Sequence, residues 1–195
     1  MWKSIFRSVV VTLILCVVLC GVYPLVVTLL ANTIFPDKAK GSLVYRDGKV
    51  VGSRLIGQAF TRPEYFHGRP SAAGDKGYDA ANSGGSNLGP TSQKLADRIK
   101  GDVDNVLKEN PTLAKGKIPV DMVTASGSGL DPDISVDSAL AQVDRVAEAR
   151  NAAKEDIRKR VLARVQNRWL GFLGERRVNV LLLNLDLDDE LPVKK

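Results

Sequence analysis

The longest pattern in the chain is an absence of charge. From Ser8 to Pro36 there is no Asp, Glu, Lys or Arg, and the apolar centre runs from Val9 to Leu30, broken only by Thr12, Gly21, Pro24 and Thr28. At a helical rise of about 1.5 Å per residue, that run covers roughly 33 Å, the depth of one hydrocarbon core. A helix also satisfies its backbone polar groups internally, as lipid requires. Residues 9–31 are therefore expected to form a transmembrane helix after a short segment, 1–8. Its anchor positions include Val9, Leu13, Val17, Tyr23, Pro24 and Leu30. A signal peptide has an apolar core of only about 7–15 residues and a small-x-small cleavage site. This run is longer and has no such site after it, so the span is expected to be retained. Pro24 removes one helical hydrogen bond, which a bend or a neighbouring helix must accommodate.

Beyond Asp37 the patterns shorten. Leu43 to Arg46 and Lys49 to Val51 flank Asp47-Gly48, which reads as a hairpin with a type I′ turn, and Leu55-Ile56 extends the sheet toward Gln58. From His67 to Ser92 the chain is rich in Gly, Ser, Asn and Pro with no apolar period. Tyr65, Phe66, Tyr78 and Leu88 suit an ordered loop pinned by its side chains. Leu95, Ile99, Val103 and Val106 predict a helix from about Ser92 to Lys108. Ile118 to Thr124 reads as a short strand and Ser126 to Gly129 as a turn. Ser135 is a candidate N-cap for a second helix carrying Leu140, Val143 and Val146 on one face. Asn151 is a candidate cap for a third, with Ile157, Val161, Val165 and Trp169 along its stripe. Alternation from Val178 to Leu187 predicts a final strand. The expectation is an α+β fold: one transmembrane helix, then a single soluble domain, 37–195, of short strands and about three helices.

Composition changes this picture little. Setting aside Lys3 and Arg7 leaves 26 basic against 22 acidic residues, interleaved and with few aromatics, which argues against nucleic acid as a partner. Cys16 and Cys20 are the only cysteines, so no disulfide can brace the soluble part. Basic residues flank the apolar run on both sides, which leaves the domain's side undecided by charge.

Catalytic templates fail. No phosphate-loop G-x-x-x-x-G-K-[ST] occurs, and His67, the sole histidine, has no cysteine in its domain to share a zinc ion. Ser126 lacks the glycine of a nucleophile elbow. Gly84-Gly85-Ser86-Asn87 suits either an anion-binding nest of backbone N–H groups or a tight turn that lets two chains approach closely. Neither a metal site nor a cofactor of its own is expected.

Five ordered motifs carry a resemblance. They are Gly52-Ser53-x-Leu55-Ile56-Gly57-Gln58-x-Phe60, Tyr65-Phe66-His67-Gly68-Arg69-Pro70-Ser71-Ala72, Ser83-Gly84-Gly85-Ser86-Asn87-Leu88, Pro119 to Pro132, and Arg177-Val178-Asn179-Val180. Together with the Tyr23-Pro24 anchor, the whole chain resembles the KdpC family, the small C subunits of bacterial potassium-transporting Kdp ATPases. The resemblance implies three partners: a channel-like potassium-binding subunit, a P-type ATPase subunit that holds the phosphorylated aspartate and the ATP, and a very small stabilising subunit. It implies an accessory, non-catalytic chain for assembly and regulation in the cytoplasmic membrane, its domain outside the cytoplasm near the potassium pathway. Gln58, Tyr65, Phe66, Arg69, Leu88, Ser126, Ser128 and Asp131 would then face partners. The family's other ascribed role is a chaperone that raises ATP affinity, for which Ser83, Gly84, Gly85, Ser86 and Asn87 are the candidate contacts.

Overall fold

The structure is a computed structural model describing residues 1–193, and it divides into two units, Met1–Ser53 and Arg54 onward. In the first unit, α1 (Trp2–Cys16), a π-helical turn (Val17–Val22) and α2 (Tyr23–Ile34) form one helix from Trp2 to Ile34. Its most apolar stretch buries no residue in protein, as expected for a rod whose solvent is lipid. The helix is longer than the expected 9–31. The π turn lies just ahead of Pro24, whose ring would collide with the Cys20 carbonyl in regular α geometry. One widened turn removes the collision without breaking the rod.

After a single turn, α3 (Pro36–Ala39), comes the hairpin of β1 (Leu43–Arg46) and β2 (Lys49–Ser53). Asp47 and Gly48 have φ of 50° and 74°, the left-handed values that a type I′ turn requires. A register shift between Val44 and Tyr45 marks a bulge. Leu55 and Ile56 do not extend this sheet. Arg54 and Leu55 form a turn, and the Gly57 N–H donates to the Leu130 carbonyl at 2.8 Å, across to a distant loop.

The second unit is built on a small antiparallel sheet of order β3-β5-β4, comprising β3 (Asp133–Ser135), β4 (Val165–Gln166) and β5 (Arg177–Asn179). Ile134 and Val165 both pair with Val178, which places three apolar side chains across the sheet. Helices α5 (Val136–Ala141), α6 (Val143–Arg150), α7 (Lys154–Ala163) and α8 (Val180–Glu190) supply most of the remaining core. Val146, Ile157, Val161, Val178, Leu183 and Leu187 are essentially inaccessible, and Phe66 enters the same core from the loop. Helix α4 (Gln93–Glu109) forms as expected and contributes only half-buried side chains.

Several elements correct the sequence reading. Val178 to Leu187 is not a strand: only Arg177–Asn179 is, and the chain then becomes α8. Leucine at almost every position satisfies period 2 and period 3.6 alike. The helix wins because Val180, Leu183, Asn184 and Leu187 share a buried face, and because the Asn179 side chain accepts the Leu182 N–H at 3.1 Å as an N-cap. Ile118 to Thr124 contains a 3₁₀ turn (Val120–Met122) instead of a strand; Pro119 starts it, and the Thr124 hydroxyl closes it on the Val120 carbonyl. Ser135 does cap α5, accepting the Ser138 N–H at 3.0 Å. Asn151 ends α6 in a left-handed conformation (φ 51°) and caps no third helix, since α7 starts from Ala153. Helix α7 ends at Ala163, so Val165 lies in β4, and Trp169 lies in the turn beyond it.

Candidate functional site

Between Arg54 and Ser92 the chain has no helix or strand, so its backbone polar groups need partners elsewhere. Two buried amide side chains supply them at consecutive residues. Asn184, on α8, accepts the Phe66 N–H at 2.8 Å and donates to the Phe66 carbonyl at 3.0 Å. Gln142, between α5 and α6, accepts the His67 N–H at 2.8 Å and donates to the His67 carbonyl at 3.2 Å. Each amide imitates the pairing of a neighbouring strand. The Phe66 ring is meanwhile fully buried in the core.

Two arginines of α6 hold the residues just before. Arg145 donates to the Pro63 carbonyl at 2.6 Å and the Tyr65 carbonyl at 3.0 Å, to Gln142 at 2.7 Å and to Asn110 at 3.3 Å. Arg150, its side chain fully buried, donates to the Glu64 and Leu191 carbonyls and to Asp188 at 2.9 Å. The Tyr65 hydroxyl donates to the other oxygen of Asp188, and the guanidiniums of Arg62 and Arg150 lie 4.9 and 5.2 Å from the Tyr65 ring centre. Pro63 to His67 is thus bound like a peptide by its own domain. Desolvation lowers the Arg145 pKa, partly offset by Glu109.

The loop then docks on the turn at Thr124 to Asp131. Arg69 pairs with Asp131 at 3.0 Å and reaches the Thr124 and Ala125 carbonyls. The Ser71 hydroxyl donates to the Gly129 carbonyl at 2.6 Å and accepts the Tyr78 N–H at 2.7 Å, while the Tyr78 hydroxyl donates to the Arg69 carbonyl. Burial first, then Asp131, pushes the Tyr78 phenol up to about 12, against a lowering by Arg69. Gly129 has φ 66°, and a Cβ there would meet the Ala73 nitrogen and the Gly84 oxygen, each at 2.7 Å.

The candidate residues therefore divide. Tyr65, Phe66, Arg69 and Asp131 hold the loop, and Ser128 receives it: its carbonyl accepts the Gly84 N–H at 2.9 Å and the Ser83 hydroxyl at 3.0 Å. Ser126 is buried, and its carbonyl accepts the Gly129 N–H. Gly85 lies against Gly127, where a Cβ would come within 3.1 Å of the carbonyl. Gln58, Ser86 and Leu88 are half-buried, and Asn87 is exposed with φ 51°.

A cavity of about 310 Å³ opens beside His67 and is also lined by Phe60, Arg69, Tyr78, Asp102 and Glu109. The His67 ring nitrogens face Glu109 at 3.2 Å and the Arg62 carbonyl at 3.1 Å. Both contacts favour the imidazolium, yet burial and the nearby Arg145 outweigh them and lower its pKa. Asp102, which lies 3.7 Å from Arg98, is raised by burial against that cation. Among the described residues no cluster of three His, Cys, Asp or Glu side chains suits a metal ion.

Gln142, Arg145, Arg150 and Asn184 escaped the sequence reading. Their signal was present: each is a polar residue set into or beside an apolar helical stripe, where an unpaired group would be costly.

These features define a class: an α+β domain with an internally bound loop, following one helix of membrane-crossing length and composition. Comparison with known proteins narrows it. The family described as "KdpC: K+-transporting ATPase, c chain" matches residues 5–189. A potassium-transporting ATPase KdpC subunit from Methylobacterium nodulans is 59% identical over 86% of this chain and 87% of its own length. Those from Rhodopseudomonas palustris strain BisB5 and from Koribacter versatilis are 54% and 53% identical, covering 93% and 99% of this chain and 95% and 98% of theirs. The chain belongs to the KdpC family.

Proposed function

We propose that this chain is the accessory C subunit of a potassium-transporting ATPase, and that it acts without chemistry of its own in assembling and regulating the complex. The observation that carries this reading is the family match over residues 5–189, which takes in nearly all of the apolar helix and of the folded domain. Its partners are the channel-like subunit, the P-type ATPase subunit and the small stabilising subunit. The domain lies outside the cytoplasm, beside the potassium pathway, as the family resemblance implies, and its basic charge does not oppose this, since long domains can be translocated whatever their charge.

Local chemistry supports a scaffold over a nucleotide contact. The Gly84 N–H and the Ser83 hydroxyl, which a phosphate would need, are already donated to the Ser128 carbonyl. A regulatory effect on ATP would then pass through the complex as a coupling between distant sites.

The test is purification of the tagged full chain from potassium-starved cells, expected to bring with it potassium-stimulated ATP hydrolysis. Recovery of the chain alone, with the hydrolysis elsewhere, refutes the assignment. Lys115→Cys, at an exposed position, should react on intact cells with a membrane-impermeant thiol reagent. Labelling only after lysis would put the domain in the cytoplasm. Crosslinking of labelled ATP to the chain, lost in Ser86→Ala, would favour the chaperone role instead.

A further inference from the structure

The connection from β4 to β5 ends in a tip that the loop network does not use. Trp169, Leu170, Phe172 and Leu173 are 69%, 67%, 69% and 44% exposed. They are consecutive except for Gly171, and the backbone fixes them in place. The Trp169 N–H donates to the Leu173 carbonyl and the Leu173 N–H to the Trp169 carbonyl, both at 2.9 Å. Leu170 and Gly171 have φ of 52° and 84°, the left-handed values of a tight turn. Arg168 and Glu175 pair at 2.6 Å below the tip, and Arg176 and Arg177 follow. Arg177 in turn pairs with Asp133 at 2.8 Å, so of the three arginines between Arg168 and Arg177 it is Arg176 that makes no ion pair among the described residues.

Four large apolar side chains side by side reach the size at which an exposed patch marks a membrane or partner surface. A tip of five residues is convex and far smaller than the roughly 800 Å² per partner of a stable protein interface. Tryptophan with leucine and phenylalanine close to Arg176, an arginine free of ion pairs among the described residues, is instead the composition of a segment in a bilayer interface. There the indole sits at headgroup level and arginine meets lipid phosphate. The Trp2–Ile34 helix keeps a bilayer within reach of the domain's tether, so weak insertion is favoured by high local concentration. We infer that the Trp169–Leu173 tip is a second membrane contact, inserting its apolar side chains into an anionic lipid surface. The inference needs the apolar helix to cross a membrane and does not depend on the ATPase assignment.

The test uses the full chain carrying Trp2→Phe, which leaves Trp169 as the single tryptophan. It is reconstituted in vesicles of phosphatidylethanolamine and phosphatidylglycerol with brominated acyl chains. Trp169 emission should move to the blue, be quenched by the bromines and resist aqueous iodide. Adding Phe172→Ser and Leu173→Ser should lose most of the bromine quenching. Arg168→Gln with Arg176→Gln should weaken it in phosphatidylglycerol vesicles but not in phosphatidylcholine. A water-like emission open to iodide in every vesicle overturns the inference. So does burial that develops only when the partner subunits are added, which would make the tip a protein interface.

Discussion

Asn184→Leu isolates the bond pair that holds the loop to the core. Leucine keeps asparagine's branched four-atom skeleton, with bulkier methyl groups in place of the amide, so the site on α8 stays filled while both hydrogen bonds to Phe66 are lost, at 2.8 and 3.0 Å. The Phe66 N–H and carbonyl stay buried with no substitute partner, because the ring remains fixed in the core. Each orphaned group costs about 1–3 kcal/mol, so the variant should lose about 2–6 kcal/mol. A loss toward the lower end of that range, about 2.8 kcal/mol, is a factor of ~100 in an opening equilibrium. Hydrogen exchange on the full chain in detergent micelles should register it first in the peptide containing Phe66 and His67. The exposed control Lys115→Ala should stay within about 0.5 kcal/mol of the parent. Unchanged exchange at Phe66 in Asn184→Leu would refute the claim that buried amides, and not the ring alone, order the loop.

Three further outcomes follow from the same network. Because burial and Arg145 lower the His67 pKa below its ordinary 6.5, the folded state favours the neutral ring; its stability contribution is present above pH 6.5 and lost as pH falls through the folded value, and His67→Asn should flatten that slope in pH-dependent denaturation. Tyr78 is raised from 10.0 to about 12, so its contribution is present below pH 10 and lost as pH rises toward 12, a loss that Tyr78→Phe should remove from an alkaline melting series. Gly129→Ala must place a Cβ at φ 66° against two backbone atoms, so it should cost at least the roughly 1–2 kcal/mol of a left-handed L-residue and lower the melting temperature.

The fold was legible where one physical signal acted alone. An uncharged run of this length has no stable home in water, and Asp47-Gly48 is a turn by backbone preference. Ser135 and the Leu95 to Val106 stripe likewise marked α5 and α4. It was illegible where signals competed. The leucines of Val180 to Leu187 fit either period, and only Asn179 as a cap and Asn184 on the buried face reveal the helix. The site was half legible. Tyr65, Phe66, Arg69 and Asp131 stood out as residues that would face partners, not as the residues that hold the loop, whereas Gln142, Arg145 and Asn184 act across 75 to 118 residues of chain, a distance no local pattern spans.

The central claim, an accessory subunit on which potassium pumping depends, is tested most directly by high-affinity potassium uptake in a strain from which only this gene has been removed. Uptake at low external potassium should vanish and return with the gene supplied in trans. Undiminished high-affinity uptake, with the other subunits still assembled, would contradict it.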